Sequence, residues 1–118
     1  MMTDDRKFLL APDDIRPIAF RYGACRATDR ITVGGAGVGF MYREAPSDLY
    51  DSGWTFTAGD ETQLYVDDPS NWAIYDVNTI ANYDPDVLPL LNAPAGSAYG
   101  RSTAGAPLTP EAMPTTLE

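Results

Sequence analysis

The residues in this chain best equipped for chemistry are its seventeen Asp and Glu, set against eight Lys and Arg and no histidine. Several acids come in close pairs: Asp60-Glu61, Asp67-Asp68 and Asp84 with Asp86. Two carboxylates facing each other across a cleft can divide the acid and base roles of glycoside hydrolysis, at a separation sequence does not reveal. Carboxylate pairs also ligate calcium or magnesium. No Asp-x-Asp-x-Asp-Gly calcium spacing occurs. The plainer readings are a dispersed solvated face, the ordinary place for surface acids, or a face for a partner.

The lack of histidine removes Ser-His-Asp and Cys-His catalysis, along with the side chain best placed for proton transfer near neutral pH. Cys25 is the single cysteine, so it forms no internal disulfide and fits a reducing compartment. A reactive thiolate would need a positive neighbour. Arg26 is adjacent but falls on the opposite face of a strand, so Cys25 is read as buried and inert. The Gly34-Gly35-Ala36-Gly37-Val38-Gly39 run matches neither the dinucleotide fingerprint nor the phosphate-loop ending, and is read as a turn or bulge.

Charge is unevenly spread. From Glu44 to Gly100 there are ten acids and no Lys or Arg, together with both tryptophans and five of the seven tyrosines. Before that window, seven Lys/Arg face five Asp. The net charge of -9 disfavours nucleic acid and anionic membrane, because phosphate binding draws on Lys and Arg, and it suits a basic protein partner. The N-terminal run Met1 to Lys7 is charged and shows no signal peptide or membrane span, so a cytoplasmic protein is expected. A chain of 118 residues suits one domain with one core.

The elements that must position these residues follow from pattern. Residues 20–31 alternate as a strand and its exit, followed by the glycine turn. Val38, Phe40 and Tyr42 alternate with Gly39, Met41 and Arg43 as a second strand. Residues 46–53 read as a loop and residues 54–57 as a strand that ends at Gly59-Asp60-Glu61. Residues 63–66 fit a short strand or a helical turn, and residues 67–71 carry turn chemistry. Residues 72–80 are ambiguous, with a strand through Val77 favoured. Asp84-Pro85-Asp86 starts a helix of one or two turns, limited by Pro89. Ser97-Ala98-Tyr99 suits a short edge strand. The Thr-, Ala-, Pro- and Gly-rich remainder from Arg101 reads as a flexible tail.

Four blocks then stand out by order and spacing: Phe40-Met41-Tyr42-Arg43-Glu44-Ala45-Pro46; Asp51-Ser52-Gly53-Trp54-Thr55-Phe56 with Gly59-Asp60-Glu61; the string Ile74 to Asp86; and Leu88-Pro89-Leu90-Leu91 with Gly96-Ser97-Ala98-Tyr99. Over about Gly23 to Arg101 the chain resembles the immunity protein 33 domain, also called domain of unknown function 2185. It departs from that pattern in its glycine-heavy turn and in Gly100, where an acid is common. The resemblance implies an α+β domain, encoded near bacterial polymorphic toxins, that binds and neutralises one in the cytoplasm. It implies no catalytic residues. Trp54, Gly59-Asp60-Glu61 and Asn78 to Asn82 carry over as signature positions. Their plain reading is fold maintenance, with Gly59 making a turn and Asn78 or Asn82 capping backbone groups.

The expected architecture is a small α+β domain with a mainly antiparallel sheet and one or two short helices. Residues 1–19 form a lead-in, residues 20–101 the immunity protein 33-like domain, and residues 102–118 the tail. The expected function is toxin neutralisation by direct binding, a basic nuclease being one such toxin. Asp60, Glu61, Asp67 and Asp68 are the candidate rim charges, and Trp54 or Trp72 the candidate anchor. No catalytic, metal or cofactor residue is assigned, and the chain is expected to be a monomer or weak dimer. The competing classes are an acidic housekeeping binding domain and a carboxylate- or metal-dependent hydrolase.

Overall fold

The computed structural model describes residues 7–114; residues 1–6 of the lead-in and residues 115–118 of the tail lie outside the described residues. The elements in chain order are β1 (Ala24–Thr28), α1 (Asp29–Thr32), β2 (Phe40–Arg43), β3 (Asp51–Thr57), α2 (Gln63–Asp67), β4 (Trp72–Asp76), α3 (Val77–Tyr83), β5 (Ala98–Gly100) and β6 (Thr109–Glu111). Single 3-10 segments occupy Pro12–Asp14, Pro69–Asn71 and Pro85–Leu90. The strands form one sheet in the order β4-β1-β3-β2-β5-β6. Only the β1–β3 pairing is parallel among the five strand pairings of the described residues, so the sheet is mainly antiparallel and the domain is α+β.

Alternation along the strands gives the sheet two faces. Cys25, Ala27, Met41, Trp54 and Phe56 turn to the inner face, where α1, α3 and the last 3-10 segment add Ile31, Val77, Ile80, Ala81 and Val87. Trp54 and Phe56 stack with ring centroids 5.9 Å apart at the centre of this core. Burying each large apolar side chain contributes roughly 1.5–3 kcal/mol. The registers Arg26↔Ile74, Arg26↔Thr55 and Tyr42↔Thr55 place these residues together on the outer face.

Several elements depart from pattern for identifiable reasons. β3 begins at Asp51, inside the expected loop, because Ala24 N–H bonds to the Tyr50 carbonyl and Asp51 registers with Ala24. Residues 52–56 are all buried, so β3 is a middle strand covered on both faces, not a half-buried one. Residues 63–67 resolve as a helix, its N–H at Tyr65 capped by the Thr62 hydroxyl at 3.2 Å. β4 stops at Asp76, whose carboxylate caps Asn78 N–H at 2.8 Å and starts α3 at Val77. The ambiguous segment is thus a strand followed by a helix. Asp84 does start a helix, of 3-10 type, and caps Asp86 N–H at 3.1 Å. β5 is not an edge: Thr109–Glu111, in the segment read as tail, pairs outside it.

The described part of the lead-in is tied to α3. Asn78 Oδ1 accepts from Ile18 N–H and Ala19 N–H, both at 2.8 Å, and Asn82 Oδ1 accepts from Arg16 N–H at 2.8 Å. Both asparagines therefore do the backbone capping expected of them.

Arg101 and Asp84 form an ion pair at 2.5 Å with side chains only 7% and 10% exposed. Asp84 also accepts from Val38 N–H at 2.8 Å, while Arg101 Nε donates to the Val38 carbonyl at 2.9 Å. The remaining guanidinium donors reach Asp86 at 2.8 Å and the Ala106 carbonyl at 2.9 Å. Removing one partner of such a pair leaves the other buried and uncompensated. Arg101→Met is therefore expected to cost about 3–5 kcal/mol in urea unfolding. Arg30→Met, at an exposed pair, should change the midpoint far less; equal effects would show that the Arg101 network is not the stronger tie.

Candidate functional site

Four of the six sequence-predicted partner residues sit in one continuous stretch, residues 60–68, and Trp72 closes it. The stretch runs off the end of β3, turns through α2 and returns into β4. Its return is fixed by two side-chain donors: Asn71 Nδ2 to the Tyr65 carbonyl and Trp72 Nε1 to the Val66 carbonyl, both at 2.9 Å. Asp60, Glu61, Asp67, Asp68 and Trp72 are thereby brought to one end of the sheet. Trp54 is not among them. It is 1% exposed, with Nε1 donating to the Leu91 carbonyl at 3.2 Å, and its ring offers no face to a partner.

The four acids are not equivalent. Asp60 receives two hydrogen bonds from the Arg30 guanidinium, at 3.1 and 2.5 Å, on the surface. Glu61 accepts from Thr28 Oγ1 at 2.6 Å, Ala58 N–H at 2.8 Å and Gly59 N–H at 2.9 Å, so it closes the turn after β3. Asp67 accepts from Gln63 Nε2 at 2.8 Å, one helical turn away. Asp68 accepts from Ser70 N–H at 2.9 Å and Ser70 Oγ at 2.7 Å, capping the 3-10 segment. Asp67 and Asp68 are exposed and make no ion pair among the described residues. Their charge is the part of the segment left to act on a partner.

The titration of these groups follows from their partners. The Arg30 hydrogen bonds hold Asp60 below its ordinary 3.8, and the Ser70 hydroxyl and amide do the same for Asp68. Asp51, which accepts from Ser47 and Gly53 amides, is also lowered. Burial pushes the Cys25 thiol well up, with the nearby Asp76 charge adding to the effect, and the residue is 2% exposed. It is a buried, unreactive thiol. Among the described residues no three of Cys, Asp and Glu gather into a group able to hold a metal ion.

Sequence reasoning missed a second feature. Leu49, Tyr50 and Ile74 are 96%, 79% and 73% exposed and line one open groove of 540 Å³ with Arg21, Gly23, Ala24, Tyr75 and Asp76. The signal was present in β4: Trp72, Ile74 and Asp76 share one strand face, and Ile74 on that face cannot reach the core. It stayed hidden because Ile74 also fits a helical period with Val77 and Ile80.

Residues 25–109 match the immunity protein Imm33 domain, and the chain belongs to that family. Among curated proteins and solved structures nothing matches. No helix of the described residues is long and apolar enough to cross a membrane.

Because the three aspartates are lowered, each adds stability above the ordinary 3.8 and loses it as pH falls through its lowered value. Carboxyl-carbon NMR is expected to show Asp51, Asp60 and Asp68 titrating below 3.8. Arg30→Gln should return Asp60 toward the ordinary value and leave Asp51 and Asp68 in place. An unmoved Asp60 would mean that Arg30 is not its partner in solution.

Proposed function

We propose that this chain is an immunity protein that neutralises a cognate bacterial toxin by direct binding, with residues 60–72 as an acidic rim of the contact. Its family membership supports the immunity role. The observation that carries the location is the exposed pair Asp67 and Asp68, held by local caps with no counter-ion among the described residues, beside Trp72. Trp72 takes over the anchor role that Trp54, as a core residue, does not fill. Asp60 and Glu61 serve mainly to hold the rim's shape through Arg30, Thr28 and the turn amides.

A toxin that handles phosphates carries a basic cleft, and an acidic rim both fits it and steers the encounter. The neutralisation needs no chemistry from this chain: occupying the toxin's working surface is sufficient. A basic nuclease is the toxin class this charge suits best. The cytoplasm is where such a toxin acts, and the single buried thiol suits that compartment.

Co-expression in bacteria with the protein encoded next to this gene, the expected toxin, tests the proposal. Wild-type protein is expected to rescue growth. Asp67→Asn with Asp68→Asn is expected to weaken rescue and to lower the association rate by about tenfold at low salt. Rescue unaffected by that double change would keep the immunity role and remove the rim; no rescue and no binding by the wild type would remove the role itself.

A further inference from the structure

Outside the rim, the most unusual surface is the outer face of β1 and β4 where the loop before β3 borders it. Three of the eight exposed large apolar residues among the described residues, Leu49, Tyr50 and Ile74, line its groove. Contiguous exposed apolar surface with a polar border marks interaction sites on soluble proteins. The border here is specific. Ala24 registers with Asp76 on one side and Asp51 on the other, so a small methyl separates two carboxylates across three strands. A second groove of 260 Å³, lined by Ala24, Arg26, Asp48, Tyr50, Asp51 and Ile74 among others, continues the first.

The carboxylates here are spent on backbone and hydroxyl donors. Asp48 accepts from Tyr50 N–H, Asp51 from Ser47 and Gly53, and Asp76 from Asn78 N–H. None makes an ion pair among the described residues. Of the two nearby cations, Arg26 lies over the Trp72 ring at 4.7 Å. Arg21 is exposed and is the one non-glycine residue of the described chain with positive φ, at 66°. Gly23 is required beside it: with φ of 96°, a Cβ there would press on the Tyr50 carbonyl. The close approach of the Tyr50 backbone to Gly23 and Ala24 is therefore built into the chain.

We propose that this groove is a second anchor point for the toxin, beside Trp72, taking an apolar side chain flanked by a lysine or arginine. The inference rests on the immunity reading and extends it: Asp67 and Asp68 steer, and Leu49, Tyr50 and Ile74 hold. Trp72, Ile74 and Asp76 share the outer face of β4, so the rim and the groove form one continuous strip. Charge decides between occupants. A partner with a basic residue beside its apolar projection meets Asp48, Asp51 and Asp76 in turn. A second copy of this chain, docked by a two-fold axis, would present the same border, three carboxylates against Arg21 and a ring-covered Arg26, and so a poorer charge match than a basic partner.

The test uses the full-length chain and, as probe, the purified protein encoded next to this gene, the expected toxin. Ile74→Asp and the double change Leu49→Ala with Tyr50→Ala alter exposed side chains, so circular dichroism melts should match the wild type. Both are expected to raise the dissociation constant by about 30-fold or more, mainly through faster dissociation. Ile74→Val should stay near wild type, and the association rate should keep its salt dependence in all three. Wild-type binding with unchanged affinity in both groove variants would overturn the anchor and leave the immunity role standing. A wild type that does not bind the toxin would overturn both. A wild-type dimer in sedimentation that Ile74→Asp dissolves would show the groove to be a self-interface, and would also overturn the proposal.

Discussion

The buried ion pair between Asp84 and Arg101 is the tie on which the rest of this small fold depends. Val38 stands between Gly37 and Gly39, where the backbone is irregular and its polar groups have no strand partner. Asp84 accepts from the Val38 amide and Arg101 donates to the Val38 carbonyl, so the pair completes both groups at once. The same aspartate caps the last 3-10 segment, and the same arginine holds the Ala106 carbonyl. One charge pair thus joins the exit of the glycine turn, the end of the helical layer and the approach to β6. In a domain this size a single cooperative core carries little reserve. A buried pair with every donor satisfied fixes geometry even where its net contribution to stability is small.

That constraint leaves the two faces of the sheet with different work. The inner face packs α1 and α3 against Trp54 and Phe56 and is closed. The outer face has apolar and charged groups standing in register on β1 and β4. Arg26 covers part of Trp72, and Ile74 is left in the open. The segment from Asp60 to Trp72 adds its acids at one end, and the Leu49–Tyr50 loop borders the other. A rigid sheet face with charges on short local caps loses little conformational entropy on binding, which favours a preorganised contact.

Much of the fold was legible from residue pattern. The glycine turn, the strands through Cys25 and Met41, and the Asp84-Pro85 helix start all follow from backbone preferences that tertiary context did not overrule. The family blocks were legible because their spacing spans most of the domain. Period two over residues 54–57 marks the strand but only one hidden face, whereas β3, a middle strand, is buried on both. The start of α3 was missed because Asp76 looks like a strand residue until its cap on Asn78 is seen. β6 was missed because a three-residue strand containing Pro110 has no periodic signal. Of the candidate contact residues, the acids and Trp72 gather as their nearness in sequence suggests. Trp54 goes to the core, since tryptophan type alone does not separate a core ring from an anchor. Leu49 and Tyr50 could be found only from burial, because exposed apolar residues look like core residues in sequence, and the strand alternation that marks Ile74 competes with a helical period.

Charge that guides this chain to a toxin would act mainly on the rate of encounter. The test is the association rate of wild-type protein with the protein encoded next to this gene, followed by stopped flow from about 30 mM to about 300 mM salt, a range over which the screening length shortens severalfold. A fast rate at low salt that falls steeply as salt rises, with dissociation nearly constant, is expected. A rate that does not change with salt would contradict it.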